Sequence, residues 1–515
     1  MRAHVLFAAA MLALAPLAQA DATALDAAFG SLNGLLARII FFDVWPGDPV
    51  MPFIVAWLGA AAAFLTVRFG FINLRMMRHA FRVIRGRYRT ADDQGEVSSF
   101  QALSTALSAT VGLGNIAGVA IAISIGGPGA TFWMIVAGLL GMTTKFVEAS
   151  LAQMYREVRP DGRLMGGAME YLSKGLAEQG APTLGRLLAG MFALFTILGS
   201  LGAGSAFQVS QSMGAVQAQI PFFREVPIAY GLLMAFAIGL VIIGGLRRIA
   251  HVAEAVVPLM VVVYVGACLW IIGSSAAEVP AALGAIVRGA FAPEAVAGGV
   301  VGAIVQGFKR AAFSSEAGLG SAAIAHSAAS VKYPVRQGLV ALYEPFIDTV
   351  VICTMTALVI VITGVYSAPE YEAIRAASQG ATLTSAAFGS VAAWLPAVLA
   401  LCVVLFAYST AIAWSYYGER CWVYLFGERF SVLYKLIFIT FVLLASLVSA
   451  AQLVDFTDLL VLAMAFPNLI GLYALNGKVR VALREYRAKL ASGELDEEAG
   501  LVAMRPALAG RDPSR

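Results

Sequence analysis

The sequence predicts an all-α polytopic membrane protein: about eleven transmembrane helices, with a core of five-plus-five inverted repeats in which the first helix of each repeat is broken. Three observations lead there. Of 515 residues, 60% are hydrophobic and only 13% charged, against about 25% charged in an ordinary soluble domain. Apolar windows of about 20 residues, enough to cross the hydrocarbon core of a bilayer, recur along the chain. Glycine-rich stretches interrupt two of those windows. This composition all but excludes a soluble enzyme of several domains, and it excludes a disordered chain, a coiled coil and a nucleic-acid-binding protein. The net charge of +4 makes no global electrostatic statement. The four cysteines (Cys268, Cys353, Cys402, Cys421) fall in or beside apolar stretches, and the four histidines (His4, His79, His251, His326) are scattered. Neither set has metal-ligand spacing, and no cofactor is expected.

Residues 1–20 read as a secretory signal peptide: Arg2 and His4, an apolar stretch Val5–Leu17, then Ala18-Gln19-Ala20. The alternative is an uncleaved first membrane helix, for which the apolar run is short. Segment 21–50 then lies outside the cell. Eleven spans follow, near 51–74, 101–124, 129–155, 185–214, 227–246, 251–274, 296–327, 340–364, 389–417, 432–450 and 454–475. Span 1 (51–74) is peripheral. Residues 75–100 form a basic cytoplasmic segment, 101–475 the core (repeats about 101–274 and 296–475), and 476–515 a cytoplasmic tail. Charge tests the order, because cytoplasmic loops of membrane proteins carry excess Lys and Arg. Span 1 is followed by Arg75, Arg78, Arg82, Arg85, Arg87 and Arg89, span 3 by Arg156 and Arg159, span 5 by Arg247 and Arg248. Acids follow even-numbered spans instead: Glu278 and Glu294 after span 6, Glu370 and Glu372 after span 8. The N-terminus is thus expected outside and the C-terminus in the cytoplasm, with the chain in the cell inner membrane. The basic stretch 75–90 reads first as a topology determinant; anionic lipid of the inner leaflet also attracts such arginines.

Backbone groups in lipid must be satisfied internally, so broken helices occur only where they line a cavity or are buried in protein. Span 2 reads Ser108-Ala109-Thr110-Val111-Gly112-Leu113-Gly114-Asn115-Ile116-Ala117-Gly118. Unwinding here would free N–H groups, which favour an anion such as a carboxylate, and carbonyls, which favour a sodium ion. A small-residue packing face is the plainer alternative. Span 7 offers two positions, Gln306–Arg310 or Gly318–Gly320. Counted from the start of the span, the first matches the depth of the break in span 2. Spans 2–6 and 7–11 would then be two sets of five, each opening on a broken helix, with opposite orientations: the inverted-repeat plan, its site at the midplane.

These motifs resemble those of the alanine or glycine:cation symporters, the sodium:alanine symporter family, over roughly residues 50–475. The resemblance rests on Val111 to Gly118, Gly126-Gly127-Pro128-Gly129, Lys145-Phe146-Val147-Glu148, Phe313 to Ser321 with Ile324-Ala325-His326, Gln337-Gly338-Leu339, and Ser415-Tyr416-Tyr417-Gly418-Glu419-Arg420. The chain departs from the family's usual pattern at Leu113, Ser315 and Ala311, all in the two site-forming runs. Val111 to Asn115 also resembles the unwound helix of the bacterial leucine transporter fold. The resemblance implies that N–H groups at Gly112, Leu113 and Gly114 hold a substrate carboxylate, supported by Asn115, and that Gln208 faces the substrate. It implies a sodium site from the carbonyls of Ser108, Val111 and Phe406 with the hydroxyls of Ser409 and Thr410. Trp414 and Phe313 would wall the pocket, limiting the substrate side chain to hydrogen or methyl, and carbonyls near Gly307 would take the ammonium.

The expected function is sodium-coupled import of alanine or glycine by alternating access. Proton coupling is the alternative, motivated by the intramembrane acids Glu148, Glu254, Glu344 and Asp348; a channel or sensor is a further one. An intramembrane enzyme would need a nucleophile–base set or metal ligands inside spans, and the sequence has no His-Glu-x-x-His run. Each residue also has a plainer role. Ser409 and Thr410 can back-bond within their helix, Gln208 can join a structural network, Trp414 and Phe313 can simply pack, and His251 and His326 can be core or loop-end histidines. Glu148, three residues after Lys145, is expected to pair with it, and Lys309 and Arg310 to pair with one of the four acids.

Overall fold

The structure, a computed structural model, describes residues 22–43, 51–90, 92–159, 164–292 and 299–500. The expected signal peptide lies outside the described residues. Among the described residues, six helices are long and apolar enough to cross a membrane: Gly129–Tyr155, Pro182–Gln219, Gly245–Ser274, Pro334–Thr363, Leu395–Phe426 and Ala450–Ser492. Span 2 adds a bent pair, Ser99–Thr110 and Gly114–Gly126, with 49° between its halves. Spans 1 and 5 are the shorter apolar helices Phe53–Arg68 and Pro227–Ile242. Span 7 is Gly299–Ser315 followed by Ala322–Ser327, and span 10 is Ser431–Leu444. The core therefore keeps the five-plus-five plan, each half opening on an interrupted helix.

Several boundaries move. Span 6 starts at Gly245 and span 9 runs on to Phe426. Span 11 is two helices, Ala450–Ala463 and Ala465–Ser492, and the second carries the fold beyond the core. Span 1 ends sharply because Gly70 and Phe71 both take left-handed backbone (φ 61° and 56°), a conformation costly for a residue with a Cβ. The chain then runs along the basic end as Met77–Ile84, burying His79, Ala80 and Val83.

Of the described helices outside the predicted windows, three tie the core together. Ala22–Ile40 packs on span 11, with Asn33 Nδ2 donating to the Gln452 carbonyl at 2.9 Å and to Gln452 Oε1 at 3.0 Å. Val279–Phe291 links the two halves. Gly380–Gly389 reaches span 2 just past its break, where Thr384 Oγ1 donates to the Ile116 carbonyl at 3.2 Å. Three stretches around the centre, Gly114–Gly118, Ser200–Ala206 and Phe346–Cys353, are wound as π-helix, a geometry that frequently marks functional sites.

Candidate functional site

The first half of span 2 starts on a capping box: Ser98 Oγ accepts from the Gln101 N–H at 3.1 Å, and Gln101 Oε1 accepts from the Ser98 N–H at 3.0 Å. Helix persists to Thr110, and Val111 then leaves it at φ −76°, ψ 80°. The freed N–H groups are held by side chains. Gly112 N–H donates to Asn115 Oδ1 at 2.9 Å, and Leu113 N–H donates to Gln208 Oε1 at 3.1 Å. Gly112 is needed for close approach: a Cβ there would stand 2.4 Å from Thr410 Oγ1. Gly114 lies against Phe313 and the Ser314 backbone, 3.4 and 3.3 Å from where its Cβ would be.

Four of the five expected ion ligands form one bonded chain between spans 2 and 9. Thr410 Oγ1 donates to the Ser108 carbonyl at 2.9 Å, Ser108 Oγ to the Ser409 carbonyl at 2.7 Å, and Ser409 Oγ to the Phe406 carbonyl at 3.1 Å. Val111 is the fifth, at the point where helix stops. Thr410 thus bonds across to span 2 and not within its own helix, while Ser409 does back-bond. Trp414, one turn further along and 3% exposed, packs on span 4 so tightly that a Cβ on Gly204 would lie 2.4 Å from its own. Phe313 meets Phe207 edge-to-face at 5.0 Å.

Asp348 is a central residue that the sequence marks only as an unusual intramembrane acid. It is fully buried. Its Oδ1 accepts from Asn115 Nδ2 at 2.6 Å, and its Oδ2 accepts from Ser314 Oγ at 2.9 Å and Thr349 Oγ1 at 2.6 Å. Spans 2, 7 and 8 thereby meet on one carboxylate. Ser314 belongs to a motif that the sequence reading noted, with no role assigned; only the fold shows what it touches.

Span 7 breaks at the other of its two candidate positions. Helix is continuous through Gln306–Arg310 and stops at Ser315. The chain then turns through Glu316 (φ 55°), Gly318 (φ 91°) and Gly320 (φ 83°), left-handed positions that glycine occupies without penalty. The expectation for Gly307 is therefore corrected. It sits mid-helix against span 3, where a Cβ would meet the Ala130 carbonyl at 2.7 Å, and no break frees the carbonyls around it for an ammonium.

Two pairing expectations are corrected as well. Glu148 does not pair with Lys145: its Oε1 accepts from the N–H groups of Gly318 and Gly320, both at 3.1 Å, and from Asn468 Nδ2 at 2.7 Å. Its carboxyl oxygen closes the second break by accepting from the freed N–H groups. Lys145 pairs instead with Glu344 at 2.9 Å, which also meets His326 Nε2 at 3.1 Å. Lys309, at 2.8 Å, and Arg310 both pair with Asp458 of span 11, an acid outside the expected four.

Two interrupted helices, facing each other across an all-helical membrane core, define a secondary transporter. The model of the sodium:alanine symporter family matches residues 43–499, and the chain belongs to that family. It is 39% identical over 429 residues to the sodium/alanine symporter AgcS of Methanococcus maripaludis, spanning 83% of this chain and 92% of that protein. It is 35% identical to the probable sodium/glutamine symporter GlnT of Bacillus subtilis, over 84% of this chain and 87% of that one. Among solved structures, MhsT in complex with L-phenylalanine aligns with 74% of this chain and 98% of its own, at 14% identity and a TM-score of 0.49.

Proposed function

We propose that this protein imports a small neutral amino acid, alanine or glycine, with sodium, by alternating access of its two halves around the breaks in spans 2 and 7. The observation that carries this is the oxygen cluster at the break in span 2. Ser108, Val111, Phe406, Ser409 and Thr410 offer carbonyls and hydroxyls only, with no charged group among them. Such a donor set suits a hard monovalent cation. The Thr410 and Ser409 hydroxyls already meet two carbonyls of this set, those of Ser108 and Phe406, which draws the donors of spans 2 and 9 together.

Gln208 and Asn115 keep the N–H groups of Leu113 and Gly112 bonded through their side-chain oxygens. A substrate carboxylate takes the place of the Gln208 oxygen on Leu113, so binding exchanges one acceptor for a charged and stronger one. Phe313 and Trp414 bound the space for the substrate side chain. Binding coupled in this way is reciprocal: substrate raises sodium affinity by the factor by which sodium raises substrate affinity. The loop charges support an outside N-terminus and cytoplasmic C-terminus in the inner membrane.

Radiolabelled uptake by the reconstituted protein, over a panel that includes alanine, glycine, serine and glutamine, with and without a sodium gradient, tests this. Sodium-independent uptake removes the coupling, and glutamine uptake at the alanine rate removes the size restriction. A second reading, proton coupling, is favoured by two buried carboxyl oxygens that have no hydrogen-bond partner among the described residues, Glu148 Oε2 and Glu316 Oε1. Uptake that follows a pH gradient at zero sodium, and loses that dependence in Glu316→Gln, supports it instead.

A further inference from the structure

At the basic end, the turn after span 1 and the last turns of helix Ala465–Ser492 border an open cavity of about 360 Å³. Its floor is apolar: Ile72, Met76, Leu483 and Leu490 line it. Two arginines, Arg75 and Arg487, line it too, and both are exposed. Among the described residues neither has an acidic group within ion-pair distance; Arg75 reaches only the Gly70 carbonyl, at 3.4 Å. His79 lines the cavity as well, its Nε2 meeting Tyr486 Oη at 2.9 Å. Directly beside the cavity the left-handed turn presents Phe71 and Leu74, 48% and 66% exposed. Those two apolar side chains on the outer surface, four and one residues before Arg75, mark the depth at which hydrocarbon gives way to headgroups.

We propose that this cavity binds an anionic phospholipid, its phosphate between Arg75 and Arg487 and its glycerol and upper acyl carbons on the apolar floor. Charge complementarity selects the sign. A zwitterionic headgroup would bring its ammonium beside Arg75 and Arg487, where like charge disfavours it. The apolar floor selects the lipid over a free anion, because inorganic phosphate would use the arginines and leave the floor unoccupied. The lipid joins the segment after span 1 to the end of helix Ala465–Ser492, neither of which belongs to the breaks in spans 2 and 7.

Native mass spectrometry of the full chain, titrated with phosphatidylglycerol, phosphatidylcholine or inorganic phosphate, tests the proposal. The expected result is a phosphatidylglycerol adduct favoured about tenfold over phosphatidylcholine, not displaced by millimolar phosphate, and lost in Arg75→Gln/Arg487→Gln. Arg247→Gln/Arg248→Gln, at the same basic end but away from the cavity, keeps the preference. Leu490→Trp fills the cavity, leaves both arginines in place and also loses the adduct. Retention of the preference in either the arginine double variant or Leu490→Trp overturns the proposal, as does displacement of the lipid by phosphate.

Discussion

Gln208 of span 4 holds the backbone N–H of Leu113 across the break in span 2, with Oε1 accepting at 3.1 Å while its Nε2 donates to the Ala203 carbonyl at 2.9 Å. The break is thus clamped by a neutral side chain from another span. A clamp of this kind can yield to a better acceptor without leaving a buried donor unpaired.

The first prediction follows from that clamp. Gln208→Glu puts a fixed carboxylate where the substrate's would bind, and uptake KM rises on the order of tenfold to a hundredfold. Gln208→Ala vacates the position and has a smaller effect. Equal behaviour of the two variants in radiolabelled uptake would remove the Leu113 N–H from the substrate's path.

Thr410 bridges spans 2 and 9 through the Ser108 carbonyl. Thr410→Val keeps the shape and removes the oxygen. Half-saturation for sodium should rise about tenfold, the equivalent of about 1.4 kcal/mol, with maximal uptake little changed at saturating sodium. An unchanged sodium curve counts against a cation at this point.

Asp458 neutralises two cations, Lys309 and Arg310, and Arg310 is 2% exposed. Asp458→Asn leaves both without a counter-charge, which costs about 3–5 kcal/mol when a buried pair is broken in this way. Thermal unfolding of the purified protein should show a large loss. Lys309→Met in the same background should recover part of it.

His79, on the basic segment after span 1, has its pKa lowered to about 4, first by burial and then by Arg82 and Arg336. Its unfolded value is about 6.5, so the neutral ring belongs to the folded state. The stability it lends is present above pH 6.5 and is lost as pH falls through the window from about 6.5 to about 4. His79→Gln should flatten stability over that window, measured by thermal unfolding at a series of pH values; a slope identical to the parent's would contradict this.

Hydropathy and loop charge make the spans legible because lipid imposes a length and a polarity on each one. The break in span 2 is legible because Gly112 and Gly114 stand in the middle of an apolar window. The depth of the break in span 7 is not, because residue counting takes no account of Asp458, which lies 148 residues from Arg310 and satisfies it inside an intact helix. The same holds for Lys145 and Glu148. Their spacing places them on one face, yet the fold brings Glu344 to one and the free N–H groups of Gly318 and Gly320 to the other. Asp348 stands out as an acid in a span, but its meeting with Asn115 and Ser314 depends on three spans converging. The helix Gly380–Gly389 is short and lies between the windows expected for spans 8 and 9.

The wide turn at Ser200–Ala206 has one more consequence. A π-helical turn contains a surplus residue relative to an α-helix, and each residue of an α-helix advances about 100° around the axis. Gln208 lies just beyond that turn, so its aim at Leu113 depends on the surplus. Winding the seven residues Ser200–Ala206 as ordinary helix without shortening them would swing everything after them by roughly 100°. The span would still cross the bilayer, but with the amide of Gln208 facing a different neighbour.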